Sequence, residues 1–325
     1  MSSPGSIFVE APARLHFGVL DLRGKLGRRF GGLGAAIPSP SLLLEAIRAD
    51  RVTAEGPDAD RALGFATRWF TYQGLPGGAH IRIHRAIPSH SGLGSGTQLG
   101  LAVARALGEL HGITADATEL ARSTGRGQRS AIGTWTFALG GFIVEGGRKP
   151  GSATIAPLLA RFPIPVSWRC VVAVPDGGRG LSGEAEARAF EQLPSPPDQE
   201  VERVAHLVLM QLLPGLVEDD LPSFGAALSD IQRITGSWFA AEQGGVFAPG
   251  RTEQLVAEMA EMGAVGVGQS SWGPAAYGLV QSDDAAAALA DRIQVSLGGG
   301  GRVFEGGFAA QGARTWSGQG PPESD

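Results

Sequence analysis

The chain has 325 residues, enough for one large domain or two packed ones with a real core. Its net charge of −5 gives no general attraction to nucleic acid or an anionic membrane, so an anionic substrate needs a local positive site of backbone amides and a few arginines. A single cysteine, Cys170, excludes a disulfide framework and reads as a buried thiol; with no membrane-length apolar window and no basic-then-apolar leader, the chain reads as cytoplasmic.

Residues Ile7–Leu20 and Ser41–Ala54 read as extended, with turns rich in Gly and Pro. Asp58–Tyr72 carries Ala62, Phe65, Ala66 and Trp69 at helical spacing. His80–Ile87 alternates Ile81, Ile83 and Ile87, the pattern of a half-buried strand. A glycine-rich loop, Pro88–Gly96, precedes a helix over Thr97–His111 that stops before Gly112, and Thr114–Ser123 is a second, short helix. Phe137–Val144 and Trp168–Val174 read as strands, and Arg161–Pro165 between them as a domain boundary. Helices follow at Glu184–Gln192, Asp198–Leu213, Leu221–Ala241 and Thr252–Met262. Short strands at Ala264–Val267 and Ala275–Val280 flank the turn Gly268–Pro274, and a helix at Asp283–Arg292 precedes a strand at Gly301–Phe304. The division is 1–163 for an N-terminal phosphate-binding domain and 164–310 for a C-terminal α/β domain, with a polar tail, 311–325, read as disordered. Strands followed by helices indicate an α+β architecture in two lobes.

The strongest local signal is Ser91-Gly92-Leu93-Gly94-Ser95-Gly96-Thr97-Gln98, set between a strand and a helix. Glycines let successive amides turn toward one anion, and the helix adds unpaired N–H groups and its positive dipole end. Hydroxyls of Ser91, Ser95 and Thr97 add donors, or a ligand for hydrated Mg²⁺. The plainer alternative is an ordinary N-cap by Ser95 or Thr97. No Gly-Lys-Ser/Thr follows, so this is not a Walker A loop, and no acidic residue at the end of a second strand supports a dinucleotide fingerprint.

That loop, the opening Ala11-Pro12-Ala13-Arg14-Leu15-His16-Phe17-Gly18 and the turn Gly266–Pro274 together resemble the GHMP kinase superfamily. Leu15–Leu22, Arg29–Gly34, Gly94–Gln98 and Gly125–Thr134 together resemble, more narrowly, the β-ribofuranosylaminobenzene 5′-phosphate synthases. The resemblance implies a two-lobed fold, with an N-terminal lobe like ribosomal protein S5 and a ferredoxin-like C-terminal lobe. It implies a pentosyltransferase that joins phosphoribosyl pyrophosphate to 4-aminobenzoate or 4-hydroxybenzoate, releasing CO₂ and pyrophosphate, in methanopterin biosynthesis. Mg²⁺ as cofactor and a homodimer are further implications. Related kinases place a catalytic Asp after the motif helix, where Ser130-Ala131-Ile132-Gly133 has Gly133; Arg14 stands for the usual Lys and Gly96 for a Ser of the kinase loop.

The implied roles follow the same matches. Arg14 and the segment Ser91, Gly92, Leu93, Gly94, Ser95, Gly96, Thr97 and Gln98 hold phosphates, with Ser95 or Thr97 on Mg²⁺. Arg126 and Arg129 grip the 5′-phosphate or the benzoate carboxylate, since guanidinium forks suit both. His16, Asp21, Gln128 and Thr134 line the ribose or aromatic pocket, with Ser130 among the substrate contacts. Arg28 and Arg29 sit on a closing loop, and Gln269 and Ser270 complete the site from the second lobe. Asp21 as a simple turn cap is the alternative. The competing functions are an ATP-dependent kinase of a small alcohol and a non-catalytic ligand sensor.

Overall fold

The computed structural model describes residues 5–178, 180 and 183–318. A first sheet is built from β1 (Ile7–Asp21), β2 (Phe30–Ala49), β3 (Thr53–Glu55), β4 (Gly78–Arg85), β5 (Phe142–Glu145) and β6 (Leu158–Phe162). The long β2 pairs along its length with β1, while its first half also pairs with β5 and its second half with β4. A second, antiparallel sheet holds β7 (Arg169–Pro175), β8 (Val265–Gln269), β9 (Ala276–Val280) and β10 (Gly301–Gly306) in the order β10-β7-β9-β8. That order, with helices between β7 and β8 and between β9 and β10, is the split βαβ arrangement of a ferredoxin-like lobe. The last strand, β11 (Arg314–Ser317), returns to pair with β1.

The helices of the first lobe are α1 (Ala59–Gln73), α2 (Ser95–His111), α3 (Ala117–Ser123) and α4 (Ile132–Leu139). Those of the second are α5 (Gly183–Gln192), α6 (Asp198–Leu207), α7 (Leu213–Val217), α8 (Leu221–Gln243), α9 (Arg251–Glu261) and α10 (Asp283–Leu297). Helix α2 is apolar nearly all round and packs on β1 and β2, as a helix without a solvent face must. Helix α8 lies on β8 and touches β1, so it bridges the lobes. One core spans both sheets: Phe17 of β1 has its ring centroid 5.1 Å from that of Tyr277 in β9 and 6.0 Å from Phe142 in β5. A second, smaller cluster around Leu255, Met259, Ala276 and Ile293 lies wholly within the C-terminal lobe.

The α+β two-lobed fold is as expected, and four local expectations change. Phe137–Leu139 belongs to helix α4, and the strand begins only at Phe142; Gly140 and Gly141, both at positive φ, turn the chain between them. A short helix of eight residues, mostly buried and interrupted only by Thr134 and Thr136 as polar residues, hides its period, so sequence reads its end as strand. Strand β2 starts at Phe30, well before Ser41, because glycines and prolines there look like a turn. The expected boundary at Arg161–Pro165 overlaps strand β6. The expected disorder of 311–325 does not hold at Arg314–Ser317, where Trp316 stacks on Phe8 at 5.6 Å and gives the strand an apolar anchor; residues 319–325 lie outside the described residues.

Candidate active site

The glycine loop leads into α2 with Gly94 as N-cap at φ 79°, and no side chain caps the helix. The amides of Thr97 and Gln98 bond back to Gly94 O at 2.9 and 3.0 Å, and among the described residues those of Ser95 and Gly96 stay open. Two glycines here are required by close approach. A Cβ at Gly94 would lie 2.8 Å from Arg14 Cγ, and one at Gly92 would overlap the Ser270 carbonyl. The loop is clamped from both lobes: Arg14 N donates to Leu93 O at 3.1 Å, and Ala275 N donates to Ser91 O at 3.0 Å.

A cavity of about 240 Å³ opens beside this loop, between the lobes. Arg14 and His16 reach it from β1, Thr97 from α2, and Arg126, Gln128, Arg129 and Ser130 from the segment before α4. Gln269 lines it from the second lobe, so eight of the expected residues share one cavity. Arg14 and Arg126 are half-buried, and each guanidinium is pushed down to about 10, chiefly by loss of solvent; Glu186 opposes this at Arg14, while Arg61 and Arg68 reinforce it at Arg126. Arg14 donates to Gly92 O. Among the described residues no carboxylate pairs with Arg126, its Nε is buried without a partner, and its guanidinium lies 4.9 Å from the Phe65 ring centroid. Half-buried cations crowded together beside open amides describe an anion site.

His16 Nε2 lies 3.2 Å from Ser130 Oγ, and burial with the Arg14 charge pushes the imidazole down to about 3, so it is neutral at physiological pH. Ser270 is not a cavity residue; its hydroxyl accepts from His16 N at 3.0 Å and donates to Gly92 O at 2.8 Å, tying the lobes together. Gln98 Nε2 donates to Gly133 O at 2.9 Å, and the buried Thr134 hydroxyl has no partner among the described residues. Ser91 donates to Pro88 O at 2.7 Å, Leu93 is core, and Ser95 is nearly buried at the helix start.

Five expected substrate residues lie outside the cavity lining: Thr134 and Ser270, and with them Asp21, Arg28 and Arg29. Asp21 Oδ1 accepts from Arg23 N at 2.6 Å and Gly24 N at 3.0 Å, the plain turn cap. Arg28 Nε donates to Gly146 O at 2.9 Å and Arg29 Nε to Leu22 O at 2.6 Å, so both arginines fasten their loop to the backbone.

Several cavity features have no short-range sequence signal. Glu186 of α5 pairs with Arg129 across 57 residues of chain. Phe30, Phe190, Phe239 and Trp272 form a contiguous aromatic wall, with edge-on contacts of 5.5 Å for Phe30–Phe190 and 4.9 Å for Phe239–Trp272. Gln232 of α8 donates to Phe17 O at 2.5 Å and accepts from Gln269 N at 2.9 Å. Glu145, at the end of β5, is a fully buried carboxylate pushed up to about 6 by burial.

The chain matches the family model for the GHMP kinases N terminal domain over residues 61–141 and that for GHMP kinases C terminal over 212–296. Homoserine kinase from Cytophaga hutchinsonii superposes with a TM-score of 0.74 at 19% identity, covering 97% of this chain and 99% of that one. Fold and site therefore define a protein of the GHMP superfamily.

A β-ribofuranosylphenol 5′-phosphate synthase from Methanothermobacter thermautotrophicus is 33% identical, over 93% of this chain and 96% of that protein. One of the same name from Archaeoglobus fulgidus is 34% identical over 85% of this chain and 88% of that protein. The chain belongs to this family, whose members are pentosyltransferases.

Proposed function

We propose that the enzyme joins phosphoribosyl pyrophosphate to a para-substituted benzoate at the carboxylate-bearing carbon, releasing CO₂ and pyrophosphate. One observation carries this reading: a single cavity gathers the half-buried guanidinium groups of Arg14, Arg126 and Arg129, the second without a carboxylate partner among the described residues, beside open helix amides, and faces them with a wall of four aromatic rings. The cations and amides suit a diphosphate leaving group, and the rings suit a flat acceptor. The C1′–oxygen bond breaks with its electron pair going to pyrophosphate, the ring carbon bonds to C1′, and the ring regains aromaticity when its carboxylate leaves as CO₂. No group is needed to remove a ring proton. Positioning the two substrates and excluding water supply most of the rate.

The acceptor is assigned as 4-hydroxybenzoate in preference to 4-aminobenzoate, on the phenol in the relatives' names. Mg²⁺ fits the donor set. Among the described residues no group of three or more His, Cys, Asp or Glu gathers to hold a metal. A cation carried on diphosphate oxygens needs little more than a hydroxyl such as that of Thr97, with Ser95 next to it. When bound it neutralises charge on the departing pyrophosphate.

The test mixes the protein with phosphoribosyl pyrophosphate, Mg²⁺ and carboxyl-labelled 4-hydroxybenzoate or 4-aminobenzoate. Labelled CO₂ and pyrophosphate in equal amounts are the expected result. Binding without release of either, on both acceptors, overturns the reading.

A further inference from the structure

Glu145 is 0% exposed. It accepts hydrogen bonds from Gly147 N at 2.7 Å and from Ala131 N at 3.4 Å, and the Ser130 side chain stands beside it, its oxygen accepting from Ile132 N at 3.2 Å. Among the described residues no cation forms an ion pair with it; Arg28 faces it at longer range. A buried carboxylate without an ion partner is costly, and here it stands one residue behind a cavity wall. Ser130, which lines the cavity, connects it to His16, which lines it too.

A serine hydroxyl has one proton to give. When Ser130 donates to the Glu145 carboxylate, its oxygen must accept from His16 Nε2–H across their 3.2 Å contact. The imidazole is then fixed with its proton on Nε2 and a lone pair on Nδ1. Among the described residues Nδ1 has no protein partner, and it is not sealed from the cavity.

We propose that His16, Ser130 and Glu145 form a proton relay that takes the acceptor's phenolic proton as the carbon–carbon bond forms and returns it when CO₂ leaves. This rests on the ribosyl transfer proposed above. In the forward step the phenol O–H bond breaks and its proton goes to His16 Nδ1. The Nε2 proton passes to Ser130 Oγ, and the hydroxyl proton passes to Glu145. The electron pair released at the phenol oxygen drives the para carbon onto C1′ as pyrophosphate departs, leaving a neutral dienone. Loss of CO₂ restores the aromatic ring, and the three protons hop back, so the relay ends as it began. The imidazole stays neutral throughout, as burial beside Arg14 demands. Glu145 has to be ionised to receive the proton, and burial places its transition at about 6, close to working pH. The charges facing the relay are Arg28 on the Glu145 side and Arg14 on the His16 side.

Glu145 and Ser130 are thus positioning residues that act through His16, and the test separates that from a structural role. The kcat of wild type, Glu145→Gln and Ser130→Ala is measured from pH 5 to 8 on 4-hydroxybenzoate and on 3,5-difluoro-4-hydroxybenzoate, whose hydroxyl is already ionised near neutral pH. Thermal unfolding of each variant is followed alongside. On 4-hydroxybenzoate both variants should lose about 100-fold, and the wild-type fall in rate below about pH 6 should vanish in Glu145→Gln. On the difluoro acceptor the losses should shrink to a few-fold. Equal losses on both acceptors in Ser130→Ala, with wild type active, overturn the relay alone. A wild type inert on both overturns the transfer and the relay together.

Discussion

The Arg126 guanidinium occupies the space that a side chain at position 96 would need: a Cβ on Gly96 would lie 2.5 Å from Arg126 Nη2 and 2.5 Å from Arg61 Nη2. Both are the far ends of flexible side chains, so a larger residue displaces them without moving the backbone. A kinase-like Ser at 96 and a half-buried Arg126 at the helix start are therefore alternatives. Gly96→Ala should fold with equal or higher thermal stability, because Ala favours a helix interior by up to about 1 kcal/mol over Gly. It should raise KM for phosphoribosyl pyrophosphate about tenfold by turning Arg126 away, a loss of about 1.4 kcal/mol. An unchanged KM would show that Arg126 does not hold the diphosphate.

Ser270 ties the lobes at one atom, accepting from His16 N and donating to Gly92 O. Ser270→Ala leaves His16 N–H buried and unpaired and Gly92 O with Arg14 as its remaining donor, at a cost of about 1–3 kcal/mol in urea unfolding. Since Gly92 O also accepts from Arg14, kcat should fall as well. A variant with wild-type stability and rate would remove the clamp from the account.

The fold was legible where sequence carries a period or a turn signal. The alternation of Ile81, Ile83 and Ile87, and the glycines around α2, fix a strand–loop–helix unit that the structure keeps. Arg14, His16 and the segment 126–130 converge on one cavity because they match family motifs, and no spacing of theirs predicts the contact. The rest was illegible for physical reasons. Glu186, Phe239 and Trp272 enter from helices and a turn far along the chain, so only tertiary packing brings them to Arg129 and Phe190. Glu145 follows three apolar strand residues and reads as a solvent-facing end. Arg28 and Arg29 read as substrate arginines, but each gives its Nε donor to a backbone carbonyl and lies outside the cavity lining, a placement invisible without the fold.

His16 and Glu145 make opposite contributions to acid stability. Burial holds His16 at about 3 against 6.5 for a free histidine, so its neutral form is favoured by folding. That stability is present above pH 6.5 and is lost as pH falls toward 3, roughly 2 kcal/mol of it between pH 7 and pH 5. Glu145 is raised to about 6 from 4.5, so its contribution is full below 4.5 and is lost as pH rises through 6. Urea unfolding at pH 5 and pH 7 should therefore show less acid loss in His16→Gln than in wild type, and more acid loss in Glu145→Gln. The same pH dependence in all three proteins would mean that neither group titrates differently on folding.

The aromatic wall should govern the acceptor and leave the diphosphate alone. Phe239 contacts Trp272 edge-on at 4.9 Å and Phe190 at 5.8 Å, and it lines the cavity from α8, whereas the open amides and Arg126 belong to the first lobe. Phe239→Leu keeps an apolar side chain of moderate size but loses ring-to-ring contacts worth about 0.5–1.5 kcal/mol each. KM for the benzoate should rise about three- to tenfold, while KM for phosphoribosyl pyrophosphate stays within about twofold. Initial rates with each substrate varied in turn separate the two constants. If the diphosphate KM moves and the benzoate KM does not, the aromatic rings face the sugar rather than the acceptor, and the two halves of the cavity have to be exchanged.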